Sequence, residues 1–368
     1  MDVNLVDTTA ELEVCCAHLT QQPWIAVDTE FMREKTYYPQ LCLVQIASAE
    51  KIYCIDKLAI DDTQKLQQVL ASRDIIKIFH AARQDMEVLH WLCGMPPVPI
   101  FDSQIAAALL GYDDQLGYAA LVEAITGTVL PKGYQRTDWT RRPLPEDQLK
   151  YAADDVRYLS KIYPVLFERL EDQDRLNWAL EDCGYLTDPA LYTVNPELAY
   201  LRIKQGGVLT PAQQHALQSL AAWRERVAQK KNRPRNWIAR DGLLVYLAQS
   251  QPRNLNQLQQ ARGLSDTMRE REGDAILEAI ASAQSDTNPP LYDAVGPLTP
   301  TQTELRDLMM LHLKLKAEQL GIRPTVLSAR REVDLIARGN ESSRLLGGWR
   351  RQVIGEELLG LRQGFGQT

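Results

Sequence analysis

Strand-forming runs crowd into the first part of this chain and nearly vanish after Pro196, which points to an α/β domain followed by helical units. Residues 24–28 (Trp-Ile-Ala-Val-Asp) read as a short buried strand. Leu41–Ala47 and Lys51–Ile55 are two more, parted by a polar turn at Ser48–Glu50. A helical run over Asp62–Ala71 leads to an apolar strand at Ile75–Phe79. The helix after it, Ala81–Leu92, stops at Gly94 with prolines just beyond. Adjacent strands first and βα units afterwards predict a mixed sheet with helices packed on it. Asp188–Pro196, with two prolines and turn formers, reads as a linker. Residues 209–284 then carry helical periodicity broken at Arg233-Pro234, Gln251-Pro252 and Gly263. After a second break at Ser285–Pro300, Thr301–Leu320 gives a long amphipathic helix, with short helices following through Leu361. A chain of 368 residues exceeds one ordinary core, and these breaks divide it into 1–190, 205–284 and 292–368.

Charge is unevenly spread. The net charge is −7, yet Arg202–Glu272 holds 13 Lys/Arg against 5 Asp/Glu. An acidic first half therefore adjoins a basic module, which suits a protein that binds cations in one place and a polyanion in another. The acidic start MDVNLVDTTAELEVCC lacks a charged-then-apolar signal, and no stretch reaches the roughly 20 apolar residues of a membrane span. No membrane association and a cytoplasmic location are expected. Cys15, Cys16, Cys42, Cys54, Cys93 and Cys183 show no C-x-x-C spacing, so reduced, buried thiols are expected rather than zinc ligands or disulfides.

Four carboxylates stand out: Asp28 and Glu30 in WIAVDTEF, Asp85 in HAARQDMEVL and Asp155 in YAADDVRYL. Side chains two apart on a strand face the same way, so Asp28 and Glu30 project together if the strand stays extended. Tyr151 and Asp155 are four apart on a predicted helix over Glu146–Leu170 and share a face, while Asp154 turns about 100° away. Asp85 lies near the start of a helix whose first residues, Ala81 and Ala82, are small enough to allow close approach to the sheet. Taken singly, each is equally a turn, a helix cap or a solvated surface group. Together, acids from distant segments without His or Cys suit hard cations such as Mg²⁺ or Mn²⁺ and metal-assisted phosphodiester hydrolysis.

The order of these segments resembles the DEDD superfamily of 3′→5′ exonucleases, and more closely the bacterial ribonuclease D family. The matching runs are VDTEFMREKTYYPQLCLVQIA, FHAARQDMEVL, FDSQIAAALLG and RTDWTRRPLPEDQLKYAADDVRYL, within residues 20–175. The resemblance implies a ribonuclease H-like exonuclease domain of the tyrosine subclass. It implies that Asp28, Glu30, Asp85 and Asp155 bind two divalent ions, that Tyr151 contacts the attacking water, and that Glu30 meets the terminal ribose hydroxyl. A phenol with a reference pKa of about 10 orients that water better than it deprotonates it. Asp102, in FDSQ, is a candidate support for the metal site, beside the alternative of capping, and Asp138-Trp139 recurs in the pattern. Lys132, Arg136 and Arg142 are candidates for phosphate contact or for a solvated face.

The run AAWRERVAQKKNRPRNWIARDGLLVYLAQSQPRNLNQLQQARGL resembles the helicase-and-ribonuclease-D C-terminal (HRDC) domain. That implies RNA backbone contacts through Lys230, Lys231, Arg233, Arg235 and Arg240, with sequence-blind, salt-sensitive affinity. Trp223 and Trp237 are read as core or half-core residues rather than as base-stacking platforms. Residues 292–368 resemble a second, diverged copy, in which Arg330, Arg331, Arg350 and Arg351 would add RNA contacts. The expected protein is a monomeric exoribonuclease acting on tRNA precursors with 3′ extensions and other small structured RNAs. A DNA exonuclease of the same superfamily and an inactive nucleic-acid scaffold are the alternatives. Neither a fused motor nor a Walker-type G-x-x-x-x-G-K-[ST] is present, and all five site residues are retained.

Overall fold

A computed structural model describes residues 2–131, 137–261, 263–283, 291–292 and 296–365. They form two compact units. The first comprises 1–32, 41–192 and 297–368, and the second 33–40 and 193–296.

The first unit is built on six strands: β1 (Val3–Val6), β2 (Trp24–Met32), β3 (Gln40–Ala47), β4 (Ile52–Asp56), β5 (Ile76–Phe79) and β6 (Ile100–Asp102). Their order across the sheet is β1-β4-β3-β2-β5-β6. β1 with β4, β2 with β5 and β5 with β6 run parallel, while β3 and β4 run antiparallel, so the sheet is mixed as expected. The short edge strands β1 and β6 carry too little pattern to be read from the sequence.

Alternation along the central strands feeds two cores. Ile25, Val27, Val44 and Phe79 face one cluster, shared with α1 (Thr9–Leu19), α2 (Gln64–Ala71) and α3 (Arg83–Cys93). Ala26, Leu43 and Ile78 face the other, with α4 (Ser103–Leu109), α5 (Tyr118–Thr126), α6 (Glu146–Asp172) and α7 (Leu176–Tyr185). Each fully buried Leu, Ile or Phe contributes about 1.5–3 kcal/mol. Ala152, Ala153 and Val156 are fully buried, so α6 carries its polar groups in against the sheet on a small-residue face. Five of the six cysteines are buried, Cys93 is partly exposed, and all six are free thiols.

The second unit contains 3₁₀ turns at Pro196–Arg202 and Lys204–Val208, then α8 (Pro211–Lys231), α9 (Arg235–Ile238), α10 (Asp241–Ser250), α11 (Leu255–Leu258) and α12 (Asp266–Ser282). Trp223, Leu244 and Ile276 lie in its core. Residues 33–40 belong to this unit through α8. The Asn232 Oδ1 accepts from the backbone N–H groups of Tyr37 and Tyr38, both at 3.0 Å, and the Tyr37 hydroxyl donates to the buried Glu225.

After Pro297 the chain rejoins the first unit as α13 (Pro300–Leu320), α14 (Pro324–Leu327), α15 (Arg330–Ala337), α16 (Gly348–Arg350) and α17 (Glu356–Phe365). Met309, Leu313, Ile336 and Trp349 share a core cluster with α6 and α7, and Trp349 stacks on Trp178 at 4.4 Å. This segment also echoes the second unit. α13, α14 and α15 each begin 89 residues after α8, α9 and α10 respectively. Both long helices have 21 residues, open on a threonine capping box followed by proline, and end on a left-handed residue, Asn232 or Gly321. Among the described residues no helix is long and apolar enough to cross a membrane.

Candidate active site

β2 stays extended to Met32, so Asp28 and Glu30 project from the same face of one strand. The register pairs Trp24 with Ile76 and Ala26 with Ile78, which carries β2 past the end of β5 at Phe79 just before Asp28. The two acids therefore sit at the carboxyl end of a parallel pair, where α/β sheets place their ligand crevices. Asp155 comes from α6. Carboxylate oxygens of Asp28, Glu30 and Asp155 all lie within 4.8 Å of one another. Asp154 turns away and pairs with Arg157 at 2.8 Å. Tyr118 anchors this turn of α6, its hydroxyl donating to the backbone carbonyls of Asp154 (3.0 Å) and Asp155.

Asp85 stands outside that triad of oxygens. It is buried in the first turn of α3, where its Oδ1 accepts from the Thr29 hydroxyl at 2.6 Å. α3 starts at Arg83 rather than at Ala81 because Ala81 adopts a left-handed φ of 54°. The Asp102 carboxylate holds that turn, accepting from the backbone N–H of Ala81 (3.1 Å) and Ala82 (2.8 Å) while capping α4 through Gln104 N–H (2.8 Å). Asp102 thus fixes the entry into the Asp85 helix. Tyr151, half-buried on α6, has its ring 6.5 Å from that of the buried Trp139. Thr29 and Tyr118 are contributors that the sequence reading missed. The only local signal for Thr29 is its place between two outward acids, which turns it to the opposite face of the strand.

Among the described residues the electrostatics are those of an acid cluster that raises its own pKa values. Burial, then repulsion from Asp85, Asp155 and Glu30, raises the Asp28 carboxyl well above the ordinary range. Burial, then Asp155 and Asp85, pushes Glu30 up to about 9. Burial, then Asp154 and Asp85, lifts Asp155 to about 7, and burial lifts Asp85 to about 6 against the Thr29 hydrogen bond. No lysine or arginine enters among these causes. An all-oxygen donor set with unbalanced negative charge fits a hard divalent cation.

Several cations expected near RNA have other occupations. Lys132 and Arg136 lie outside the described residues. Arg142 is not free for phosphate: it grips Asp56 through two nitrogens, one at 2.7 Å, and donates to the carbonyls of Cys42 and Trp139. Arg350 is buried, with NH1 and NH2 on Asp182 at 2.6 and 2.8 Å and further bonds to the carbonyls of Val326 and Leu327, so it is a core group and not an RNA contact. Arg351 pairs with Glu356 at 2.6 Å on the surface, and Arg330 and Arg331 are exposed.

In the second unit Lys230, Lys231, Arg233 and Arg240 are exposed and Arg235 is half-exposed. Lys231 pairs with Glu272 at 2.6 Å. Trp223 is buried as expected, but Trp237 is 59% exposed, with the Arg233 guanidinium 5.9 Å from its ring centre. The expected core or half-core role of Trp237 is therefore corrected: its ring lies on the outer side of the single-turn α9, beside the Arg233 guanidinium rather than in the bundle core.

A family model described as a 3′-5′ exonuclease matches residues 3–171, and an HRDC domain model matches 213–280. The chain is 37% identical to ribonuclease D from Gluconacetobacter diazotrophicus, over 99% of this chain and 93% of that one. It is 38% identical to ribonuclease D from Jannaschia sp., over 98% of this chain and 95% of that one. Among solved structures it resembles Escherichia coli RNase D, described as an exoribonuclease involved in structured RNA processing, with a TM-score of 0.89, 32% identity and 99% of both chains covered. Because these similarities run through the catalytic sheet and the helical segments alike, the chain belongs to the ribonuclease D family.

Proposed function

We propose that this chain is a 3′→5′ exoribonuclease of the tyrosine subclass that works in the cytoplasm as a monomer. It trims tRNA precursors with 3′ extensions and other small structured RNAs, releasing nucleoside 5′-monophosphates. The observation that carries the reading is the meeting of Asp28, Glu30 and Asp155 oxygens within 4.8 Å, where no lysine or arginine among the described residues enters the causes of their shifted pKa values. Asp28, Glu30, Asp85 and Asp155 would hold two Mg²⁺ or Mn²⁺ ions. When bound, such ions acidify the attacking water and stabilise charge on the leaving 3′-oxygen. Tyr151 Oη orients that water in line with the phosphorus. Glu30 also takes the terminal ribose hydroxyl, which selects a free 3′ end. Thr29 holds the Asp85 carboxylate by its 2.6 Å hydrogen bond, and Tyr118 fixes the turn that presents Asp155. Both act as positioning residues.

RNA is held by Lys230, Lys231, Arg233, Arg235 and Arg240. The Lys231–Glu272 pair joins an exposed lysine to a half-buried glutamate at the surface, where such pairs are worth about 0–1 kcal/mol, so a phosphate can compete for the lysine. Residues 292–368 are a second, diverged HRDC-like copy, a reading supported by the constant 89-residue offset of three successive helices. RNA and DNA labelled at the 3′ or the 5′ end, incubated with Mg²⁺, Mn²⁺ or EDTA, provide the test. Metal-dependent release of mononucleotides from the 3′ end of RNA is expected. Internal cleavage, a preference for DNA, or release in EDTA would each overturn the reading.

A further inference from the structure

We infer that the second unit carries a subsite for one unpaired nucleotide at the C-terminal end of α10, separate from the basic loop. This rests on the proposal that the unit binds RNA. A cavity of about 560 Å³ opens there, lined by Tyr246, Gln249, Gln251, Arg253 and Gln257 with Gln260. Its frame is fixed. Pro252 is buried, the Arg253 backbone N–H donates to Gln257 Oε1 at 2.7 Å, and the Gln257 N–H donates to Asn254 Oδ1 at 3.0 Å. The heads of Tyr246, Gln249, Arg253 and Gln260 have no protein partner among the described residues, and Tyr246 is 39% exposed.

The backbone adds a second observation. Gln251 holds a left-handed φ of 42°, a conformation that L side chains adopt rarely. Gln251 is the C-cap of α10, so this left-handed residue ends the helix at the cavity wall, while its Nε2 donates to the Ala212 carbonyl at 3.5 Å.

The lining selects the ligand. No carboxylate faces the cavity, which disfavours metal ions and basic peptides, and the walls are too polar for an apolar side chain or a lipid tail. A phenol face for stacking, amides that both donate and accept, and one guanidinium match a nucleobase with its phosphate. α10 has 10 residues and spans about 15 Å. Arg240 caps its other end, so one single strand reaches from the basic loop to this pocket within a few nucleotides.

The test is fluorescence anisotropy with the full chain and an unstructured RNA 12-mer in EDTA, over a range of salt. Tyr246→Ala should weaken binding roughly 5- to 150-fold, the range of a lost base–aromatic stack, without changing the salt slope. Tyr246→Phe should retain binding. Arg253→Ala should reduce the salt slope by about 0.7, the value for one phosphate on a single strand. Adenosine 5′-monophosphate at millimolar concentration separates the sources: displacing the 12-mer marks a site open to a free nucleotide, and failing to displace it marks one filled only within a strand. Folded Tyr246→Ala and Arg253→Ala proteins that bind within twofold of wild type overturn the inference. If a Lys230→Ala/Arg233→Ala double variant alone loses the RNA, only this pocket falls. If that variant binds normally too, the RNA-binding role of the unit falls with it.

Discussion

Asp155→Asn should disable the enzyme and, in the absence of divalent metal, stabilise its fold. Asp155 titrates near 7 instead of its ordinary 3.8, because burial and then the charges of Asp154 and Asp85 oppose its ionisation. At 1.36 kcal/mol per pH unit that displacement is worth about 4 kcal/mol. The side chain keeps partial access to water, and its neighbours respond by taking up protons, so about 2 kcal/mol is expected at pH 8. The pH dependence has a definite sign. A carboxyl whose folded pKa is raised leaves stability untouched below about 3.8. It destabilises the fold increasingly up to about 7, and by a constant amount above that. Asparagine removes the ionisation and hence this dependence. Urea unfolding in EDTA should therefore give the variant a gain of about 2 kcal/mol at pH 8 and less than about 1 kcal/mol at pH 4.5. Saturating Mg²⁺ should shrink or reverse the gain at pH 8, since the ion neutralises the wild-type cluster and the variant lacks one ligand. A variant no more stable than wild type at pH 8 in EDTA, or one with an equal gain at both pH values, would refute the view of an unbalanced acid cluster.

Two further outcomes follow from other parts of the molecule. Arg350→Ala takes two bonds from the buried Asp182 but leaves it Arg344 and the Trp349 indole, so it should cost about 3 kcal/mol in urea unfolding, the low end for a broken buried pair, with RNA affinity and its salt slope unchanged; weaker RNA binding at unaltered stability would restore Arg350 to the RNA face. Tyr151→Phe should lower kcat about 100-fold, at the low end of proton-transfer effects because the phenol orients rather than deprotonates, while KM stays put; wild-type kcat would remove Tyr151 from the mechanism.

The acids were legible because each rests on a local period. Alternation on β2 places Asp28 beside Glu30, and the helical period of α6 separates Asp155 from Asp154, whose carboxylate pairs with Arg157. The placement of Asp85 was not legible in the same way. Its partner Thr29 is 56 residues distant, and its helix begins after a left-handed Ala81 that only the Asp102 carboxylate explains. FDSQ was readable as a cap on α4, yet nothing local says that the same carboxylate reaches back to the turn after β5. β1 and β6 escaped notice because four and three residues hold too little alternation to separate a strand from a loop.

The cations were the harder problem, and the reason is physical. A guanidinium bound to a buried carboxylate and one facing solvent occupy similar sequence contexts, since the partner that distinguishes them lies far along the chain. Asp56 is 86 residues from Arg142, and Asp182 is 168 from Arg350. Even within the basic module, Arg224 is fully buried and spends NH1 on Asp241 (2.6 Å) and the Ala239 carbonyl (3.1 Å), fixing the turn that leads into α10. Lys230 and Arg240, exposed on the same unit, form no ion pair among the described residues. A count of positive charge therefore overstates the surface available to RNA. A carboxylate partner removes the half-buried Arg142 and the buried Arg224 and Arg350 from it, while Lys230, Lys231, Arg233, Arg235 and Arg240 stay accessible around the loop between α8 and α10.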